Sequence, residues 1–365
     1  MSSPILYQNH TKTIVLIDVP LSLEHAQGHP SPGRLLSSTP LQTPYPSLKP
    51  KSKKAKANLP DVFIDELLLV RHLELALDEV RREHRGKWCE ERVTEDGNGD
   101  GKKRKLNEDD DNKDLQGEQS NEADVQEVDI FFQNTTATST GISINPSQPK
   151  VTIPSKATVL QGPIAQTIEI FNASAPAFDL VLLDPPWPNR SARRKGSYSI
   201  SWGNAEIQNL LLSIPLQDRL NEGAFVGVWI TNRPAFREML VGEDGLFREW
   251  GISLTEEWIW VKITENGEPI CDLDSTWRKP YEVLLVARKG LDPREEVKPT
   301  RRVMVSVPDV HSRKPNLKLL FEDVMGKKEG EYEALEIFAR NLTNGWWSWG
   351  NEALKFQTQD HWVKP

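Results

Sequence analysis

Apolar and polar positions divide the chain into stretches of different texture. From about residue 150 onward, short apolar runs rich in β-branched and aromatic residues recur: DLVLL, AFVGVWI, EEWIWVKI, EVLLVAR, RVMVSV and ALEIFAR. Helical patterns stand between them. Ile207, Leu210, Leu211 and Ile214 follow the i, i+3, i+4, i+7 spacing of a helix that covers a sheet, and Leu317, Leu320, Phe321 and Val324 repeat it. Alternating strands and helices predict one α/β domain over 150–365 with a mainly parallel sheet. In such a sheet ligands bind outside the carboxyl ends of the strands, so the residues following each strand matter most.

Before that domain the pattern is sparser. KTIVLIDVP predicts a short strand stopped by Pro20, part of a strand and helix element over 1–27. Residues 28–60, rich in Pro and Ser, predict a disordered linker ending in a basic run. Within 61–89, Leu69, Leu73, Ala76, Leu77 and Val80 fall at helical spacing and predict an amphipathic helix. Residues 90–130 have few apolar positions and no period, and so predict a disordered insert.

Charge sharpens this division. The net charge of −8 sits mostly in the insert: residues 90–129 carry 15 acidic and 6 basic side chains, against 29 and 27 over 130–365. The catalytic-sized region is therefore nearly neutral, and its overall charge does not select a partner. Basic runs at Lys51–Lys56 and Lys102–Lys105 lead us to expect nuclear import, with the cytoplasm as a second compartment. Two cysteines, Cys89 and Cys271, lie far apart and form neither a disulfide framework nor a zinc site, so no metal is expected. No apolar run reaches the roughly 18 residues of a membrane span, and a soluble protein without a membrane partner is expected.

The chemistry is concentrated where DLVLL runs into Asp184-Pro185-Pro186-Trp187. Two consecutive prolines fix φ and remove two backbone donors, so an acceptor-rich, extended tetrapeptide stands at a strand end beside an aromatic ring. An exocyclic base amine suits this arrangement. Its lone pair is delocalised into the ring, and acceptors on both N–H bonds stabilise the charge that develops as it attacks a methyl group. After it, Arg190, Arg193, Arg194, Lys195 and Tyr198 form a basic loop with one aromatic, suited to phosphates and a stacked nucleotide. The stretch STWRKPYE, with Lys279 and Tyr281, is read either as a wall of the target pocket or as a turn into a strand.

At D-P-P-W the chain resembles the MT-A seventy family of N6-adenine methyltransferases. VGVWITNR, EEWIWVKIT, KPYEVLLVARKG, HSRKP and EIFARNLTNGWWSWGNEALKF follow in that family's order, and SARRKGSYS, FAR and WSWGNE are most similar to the branch called methyltransferase-like protein four. The resemblance implies a Rossmann-like, S-adenosylmethionine-dependent methyltransferase fold with permuted motif order, the catalytic strand preceding the cofactor strand, plus an N-terminal extension. It implies that Asp184, Pro185, Pro186 and Trp187 form the catalytic claw, with Asp184 also facing the donor. Lys314 would meet the donor's carboxylate, Phe338 and Arg340 would contact the donor, and Asn351 with Glu352 would hold its ribose. Gln161 and Gly162 occupy the place where relatives grip the donor's adenine.

Asn341-Leu342-Thr343 stands where the messenger-RNA branch has Pro-His-Asn, so ribose contacts from Leu342 and Thr343 are not expected. The implied partner is nucleic acid carrying an unpaired or flipped adenine: small nuclear RNA, with or without 2′-O-methylation of the target, or DNA. Two alternatives stay open at this point. One is a non-catalytic, nucleic-acid-binding subunit, which an altered claw would favour. The other is a methyltransferase of cytosine N4 or of a protein amide or amine, whose relatives usually carry Asn or Ser where Asp184 stands.

Overall fold

A computed structural model describes residues 2–29, 31–46, 64–94, 130–144, 150–188, 203–275, 279–291 and 298–363. The elements, in order, are β1 (Ile5–Gln8), β2 (Ile14–Ile17), α1 (Val19–His25), β3 (Arg34–Leu35), α2 (Ile64–Glu83), β4 (Ile130–Gln133), β5 (Thr140–Ile142) and β6 (Val151–Ile153). They continue with β7 (Thr158–Gln161), α3 (Ile164–Ser174), β8 (Phe178–Leu183), α4 (Asn204–Ser213), β9 (Leu220–Ile230), α5 (Pro234–Val241) and α6 (Leu246–Glu249). The last are β10 (Ile252–Lys262), β11 (Tyr281–Lys289), β12 (Thr300–Ser306), α7 (Lys318–Met325), β13 (Ala334–Ile337), β14 (Trp347–Gly350) and β15 (Trp362–Val363).

Eleven strands form one sheet in the order β1-β2-β12-β10-β11-β9-β8-β13-β14-β7-β4. Only β1, β4 and β11 run antiparallel to their neighbours. The expected mainly parallel sheet is therefore present, and the carboxyl ends of β8, β9, β10, β12, β13, β14 and β7 share one edge. Side chains alternate between its two faces. On β10, Trp258 and Trp260 pack with α1 and α7, whereas Ile259 and Val261 pack against α2 on the other face. Along that second face α3 to α6 cover the central strands, with Phe171, Ile207, Leu211 and Leu240 fully or almost fully buried. Helices on both faces make the sheet doubly wound.

The N-terminal element is continuous with the domain. β2 pairs in parallel with β12, so residues 1–27 supply one edge of the catalytic sheet. Pro20 does more than end a strand. It sits in the first turn of α1, where a missing N–H costs nothing, and the buried Asp18 caps that helix by accepting from Leu21 N.

Two expectations are corrected. Residues 31–46, assigned to a disordered linker, are ordered: β3 pairs with β15, Leu35 is buried, and Leu41 O and Ile270 O accept from Glu265 N and Tyr45 N. Saturated backbone bonds order this segment where its side-chain pattern shows no period. The domain also begins earlier than residue 150, because β4 pairs antiparallel with β7 and closes the far edge of the sheet. The amphipathic helix is present as α2, which buries Val70, Leu73, Ala76, Leu77 and Val80. Most of the acidic insert and both basic runs lie outside the described residues. Among the described residues no helix is long and apolar enough to cross a membrane.

Candidate active site

β8 is fully apolar from Leu180 to Leu183 and ends at Asp184, whose N–H donates to Ile337 O of the adjacent β13. The prolines then hold the chain extended. The Pro185 carbonyl accepts the N–H of Trp187 at 2.8 Å, which tightens the claw and leaves that oxygen one further lone pair. The Trp187 indole donates to Trp229 O at 2.7 Å and stacks on Phe236 with centroids 4.5 Å apart. The claw is thus anchored on the end of β9. One face of the Trp187 ring is taken by Phe236, so a base can stack only on the other.

The cleft beside the claw is lined by Asp184, Lys314, Asn316, Glu336, Phe338, Arg340 and Asn341. Four alternating charges run through it: Lys262 Nζ lies 2.5 Å from Glu282, Glu282 lies 3.3 Å from Lys314 Nζ, and Lys314 Nζ lies 3.0 Å from Asp184 Oδ2. Burial works to raise the Glu282 carboxyl, but the Lys314 and Lys262 ammoniums outweigh it and hold it down to about 2. Burial likewise opposes the charge on Lys314, and Asp184 and Glu282 more than offset it, so its pKa is raised. Glu336 behaves differently. Burial, with the charge of Asp184 added, pushes its carboxyl up to about 7 against the pull of Lys314 and Arg340.

The other end of the cleft is built from β13, β14 and β7. Phe338, just past β13, has a left-handed φ of 61°, a conformation that an aromatic residue adopts at a cost. Gly350 permits it: a Cβ there would stand 3.0 Å from Phe338 Cα. Arg340 Nε lies 2.9 Å from Glu352, whose carboxyl Lys355 and Arg340 hold down against the effect of burial. Asn351 is exposed beside this pair. Gln161 ends β7, and its buried Oε1 has no partner; Gly162 follows with a positive φ.

Asp184, Lys314, Phe338, Arg340, Asn351, Glu352, Gln161 and Gly162 thus stand along one edge of the sheet. Arg190, Arg193, Arg194, Lys195 and Tyr198 of the basic loop lie outside the described residues. Of the two readings of STWRKPYE the structure fits the turn into a strand, Tyr281 being the first residue of β11, and neither Lys279 nor Tyr281 lines the cleft beside the claw. Lys279 forms an ion pair with Glu66 of α2, and Tyr281 is buried among α2 side chains, which lifts its phenol to about 12. Leu342 and Thr343 are fully buried, as their apolar and small side chains allow. Trp346, Trp347 and Trp349 are core residues, Trp349 stacking on Phe171 at 4.2 Å. His311 is exposed, with Nδ1 2.9 Å from Ser312 Oγ.

Residues the sequence did not single out are Glu336, Glu282, Lys262, Asn316 and Asn341. For Lys262 and Glu282 a signal existed: a charged residue at the carboxyl end of an apolar strand, or facing it on the antiparallel β11, has few reasons to be there other than a site.

An open, mostly parallel sheet, helices on both faces and a charged cleft at its carboxyl edge define a Rossmann-like methyltransferase. The chain belongs to the MT-A70 family, whose model matches residues 178–352. It is 38% identical to the N6-methyladenosine RNA methyltransferase MTA1 of Cryphonectria parasitica, over 99% of this chain and 94% of that protein. It is 36% identical to the human N(6)-adenine-specific methyltransferase METTL4, over 59% of this chain and 45% of that one. A DNA N6-methyl methyltransferase of Caenorhabditis elegans is 34% identical over 60% of this chain and 57% of its own.

Proposed function

We propose that this chain is a nucleic-acid adenine N6-methyltransferase that uses S-adenosylmethionine and works at the Asp184–Trp187 claw. The observation that carries this reading is the juxtaposition of Asp184 and Lys314, an acceptor and a donor of full charge, at the end of the strand that leads into the two prolines.

The residues present fit the donor. Its amino-acid end carries one ammonium and one carboxylate, and Asp184 and Lys314 offer the complementary pair. At the far end, Arg340, Asn351 and Glu352 supply donors and acceptors for ribose hydroxyls. Gln161 Oε1, a buried acceptor without a partner, matches an adenine amine. When bound, the donor supplies an electrophilic methyl group.

The chain's own part is orientation and charge. The Asp184 carboxylate and the free lone pair of Pro185 O take the two N6 hydrogens of the target adenine, which keeps the nitrogen lone pair directed at the methyl group. Trp187 presents its open face to the base while Trp229 and Phe236 fix its other contacts. As the amine gains the methyl it turns cationic, and the acceptors on it strengthen at that moment. Asp184, which accepts one of those hydrogens, is the group placed to receive the proton that must leave, and Lys314 at 3.0 Å holds it in position.

RNA is the substrate we favour, because the relatives that match nearly the whole chain carry RNA in their names. DNA is the second reading, from the nematode relative. The two basic runs support action in the nucleus. Labelled methyl transfer onto single-stranded RNA, RNA carrying 2′-O-methyladenosine, single-stranded DNA and duplex DNA tests all of this at once. N6-methyladenine on one substrate, lost in a folded Asp184→Ala variant, is the expected result. Label on cytosine, or undiminished label in the variant, would overturn the reading.

A further inference from the structure

We infer that Gln27, at the end of the N-terminal helix, is a positioning residue for the cofactor subsite: it fixes the backbone beside Arg340 and Asn341 through a closed ring of buried amides.

Helix α1 reaches the cleft at three points. Ser22 Oγ accepts from Asn316 N at 2.9 Å, two residues after Lys314. Ala26 O, a carbonyl that the ending helix leaves without an internal partner, accepts from Asn344 N at 2.7 Å. Gln27 Nε2 donates to Leu342 O at 2.9 Å. The Leu342 N–H donates to Gln357 Oε1 at 3.2 Å, and Gln357 Nε2 donates back to Gln27 Oε1 at 2.8 Å.

This ring holds both backbone polar groups of Leu342, and Gln27, Leu342 and Gln357 are all buried. Asn316 Nδ2 bonds Thr343 Oγ1 at 2.8 Å, so the loop bearing Lys314 and the loop bearing Arg340 are tied to each other as well as to α1. Gly28 keeps the approach close, because a Cβ there would clash with Asn344 at 2.6 Å. The spacing between the carboxylate-binding and ribose-binding ends of the cleft is thereby set by a helix about 300 residues away in sequence.

Removing the amide leaves Leu342 O without its donor in the interior and Gln357 Nε2 with Thr152 O as its remaining partner, so the loop must shift to satisfy the carbonyl. Because Gln27 touches neither donor nor base, the loss appears in donor affinity and KM, with kcat at saturating donor changed much less.

The inference rests on S-adenosylmethionine being the donor, and calorimetric binding to the wild-type chain separates the two. No binding to wild type would sink that functional reading and, with it, this inference. With wild-type binding established, Gln27→Met is expected to raise Kd for S-adenosylmethionine and for S-adenosylhomocysteine by about tenfold, the scale of one buried hydrogen bond. Val80→Ala, a cavity in α2 on the other face of the sheet, supplies a comparison with lowered melting temperature and unchanged Kd. A second variant covers the case in which Gln27→Met does not fold. In Gln27→Glu a protonated carboxyl can still donate to Leu342 O, so the ratio of its Kd to the wild-type Kd at the same pH should be smallest at pH 6 and grow at higher pH. Kd within twofold of wild type for a folded Gln27→Met, or for Gln27→Glu across that pH range, would overturn the inference.

Discussion

The ammonium of Lys314 lies 3.0 Å from the carboxylate of Asp184, and its other partner is Glu282 at 3.3 Å. One cation therefore stands between two carboxylates, one in the claw and one on β11. A second ammonium, Lys262, balances the set. Such a chain of charges fixes where the Asp184 carboxylate stands as an acceptor and where Lys314 can meet an incoming carboxylate.

Lys314→Met should weaken S-adenosylmethionine binding by about 10- to 100-fold, the range for losing one charge-assisted hydrogen bond. Calorimetry on a variant shown to be folded by circular dichroism checks it. Undiminished affinity would mean that Lys314 serves only to hold Asp184 and Glu282.

Glu336 makes the site sensitive to pH. Its carboxyl titrates at about 7, so it is largely neutral at pH 6 and largely charged at pH 8. The donor brings positive charge to the cleft, and a carboxylate attracts it more than an acid does. Affinity for S-adenosylmethionine should therefore rise from pH 6 to pH 8, with proton release on binding below pH 7, and Glu336→Gln should flatten the slope. The sign for stability is the opposite. A carboxyl raised by folding contributes stability that is complete below its unfolded value of 4.5 and is lost as pH rises through 7. Urea titrations of the wild-type and Glu336→Gln chains at pH 5 and pH 8 measure that difference.

Trp187→Phe removes the indole N–H that donates to Trp229 O but keeps a ring against Phe236. The claw is held at two points and loses one. We expect kcat to fall by about tenfold, equivalent to one hydrogen bond of about 1 kcal/mol or slightly more. KM for the methyl donor should change little, since Trp187 is assigned to the target side. Equal losses in donor Kd and in kcat would place the residue on the donor side instead.

How far the sequence reached is visible in particular residues. DLVLL and EIFAR announced strands because an apolar run long enough for a strand, ending at polar residues, has few other solutions; that β8 and β13 are parallel neighbours is what the structure adds. Asp184 stood out because two prolines follow it. Glu336 did not, since a single acid inside ALEIF reads as the solvent-facing position of an alternating strand. Its burial in the same cleft as the charges of Asp184, Lys314 and Arg340 gives it meaning. Lys279 and Tyr281 left two readings open for the converse reason: their types suit a nucleotide pocket as well as a turn into a strand, and nothing local tells that α2 from residues 64–83 packs on them. The ordering of 31–46 escaped because it depends on backbone bonds to distant loops, which leave no period in side chains.

Those same bonds carry a last expectation. Arg92, Asp309 and Arg313 form a triad whose side chains are almost fully buried, Asp309 lying 2.5 Å from Arg313 and 3.6 Å from Arg92. Arg92 also donates to Ser38 O, Pro308 O and Val307 O, while Arg313 donates to Leu36 O. Asp309 in turn accepts from Ser38 N at 2.7 Å. The triad thus clasps the N-terminal strap onto the loop that leads into Lys314. Asp309→Ala leaves two guanidiniums facing each other without a counter-charge, a change that costs about 3–5 kcal/mol in a buried setting. Urea unfolding should show that loss, and limited proteolysis should show new cleavage within residues 31–46 before the sheet itself opens. The donor Kd should worsen too, because Lys314 follows Arg313 directly. A loss below about 1 kcal/mol, the range of exposed pairs, would mean that water reaches the triad and that the strap is held by its backbone bonds alone.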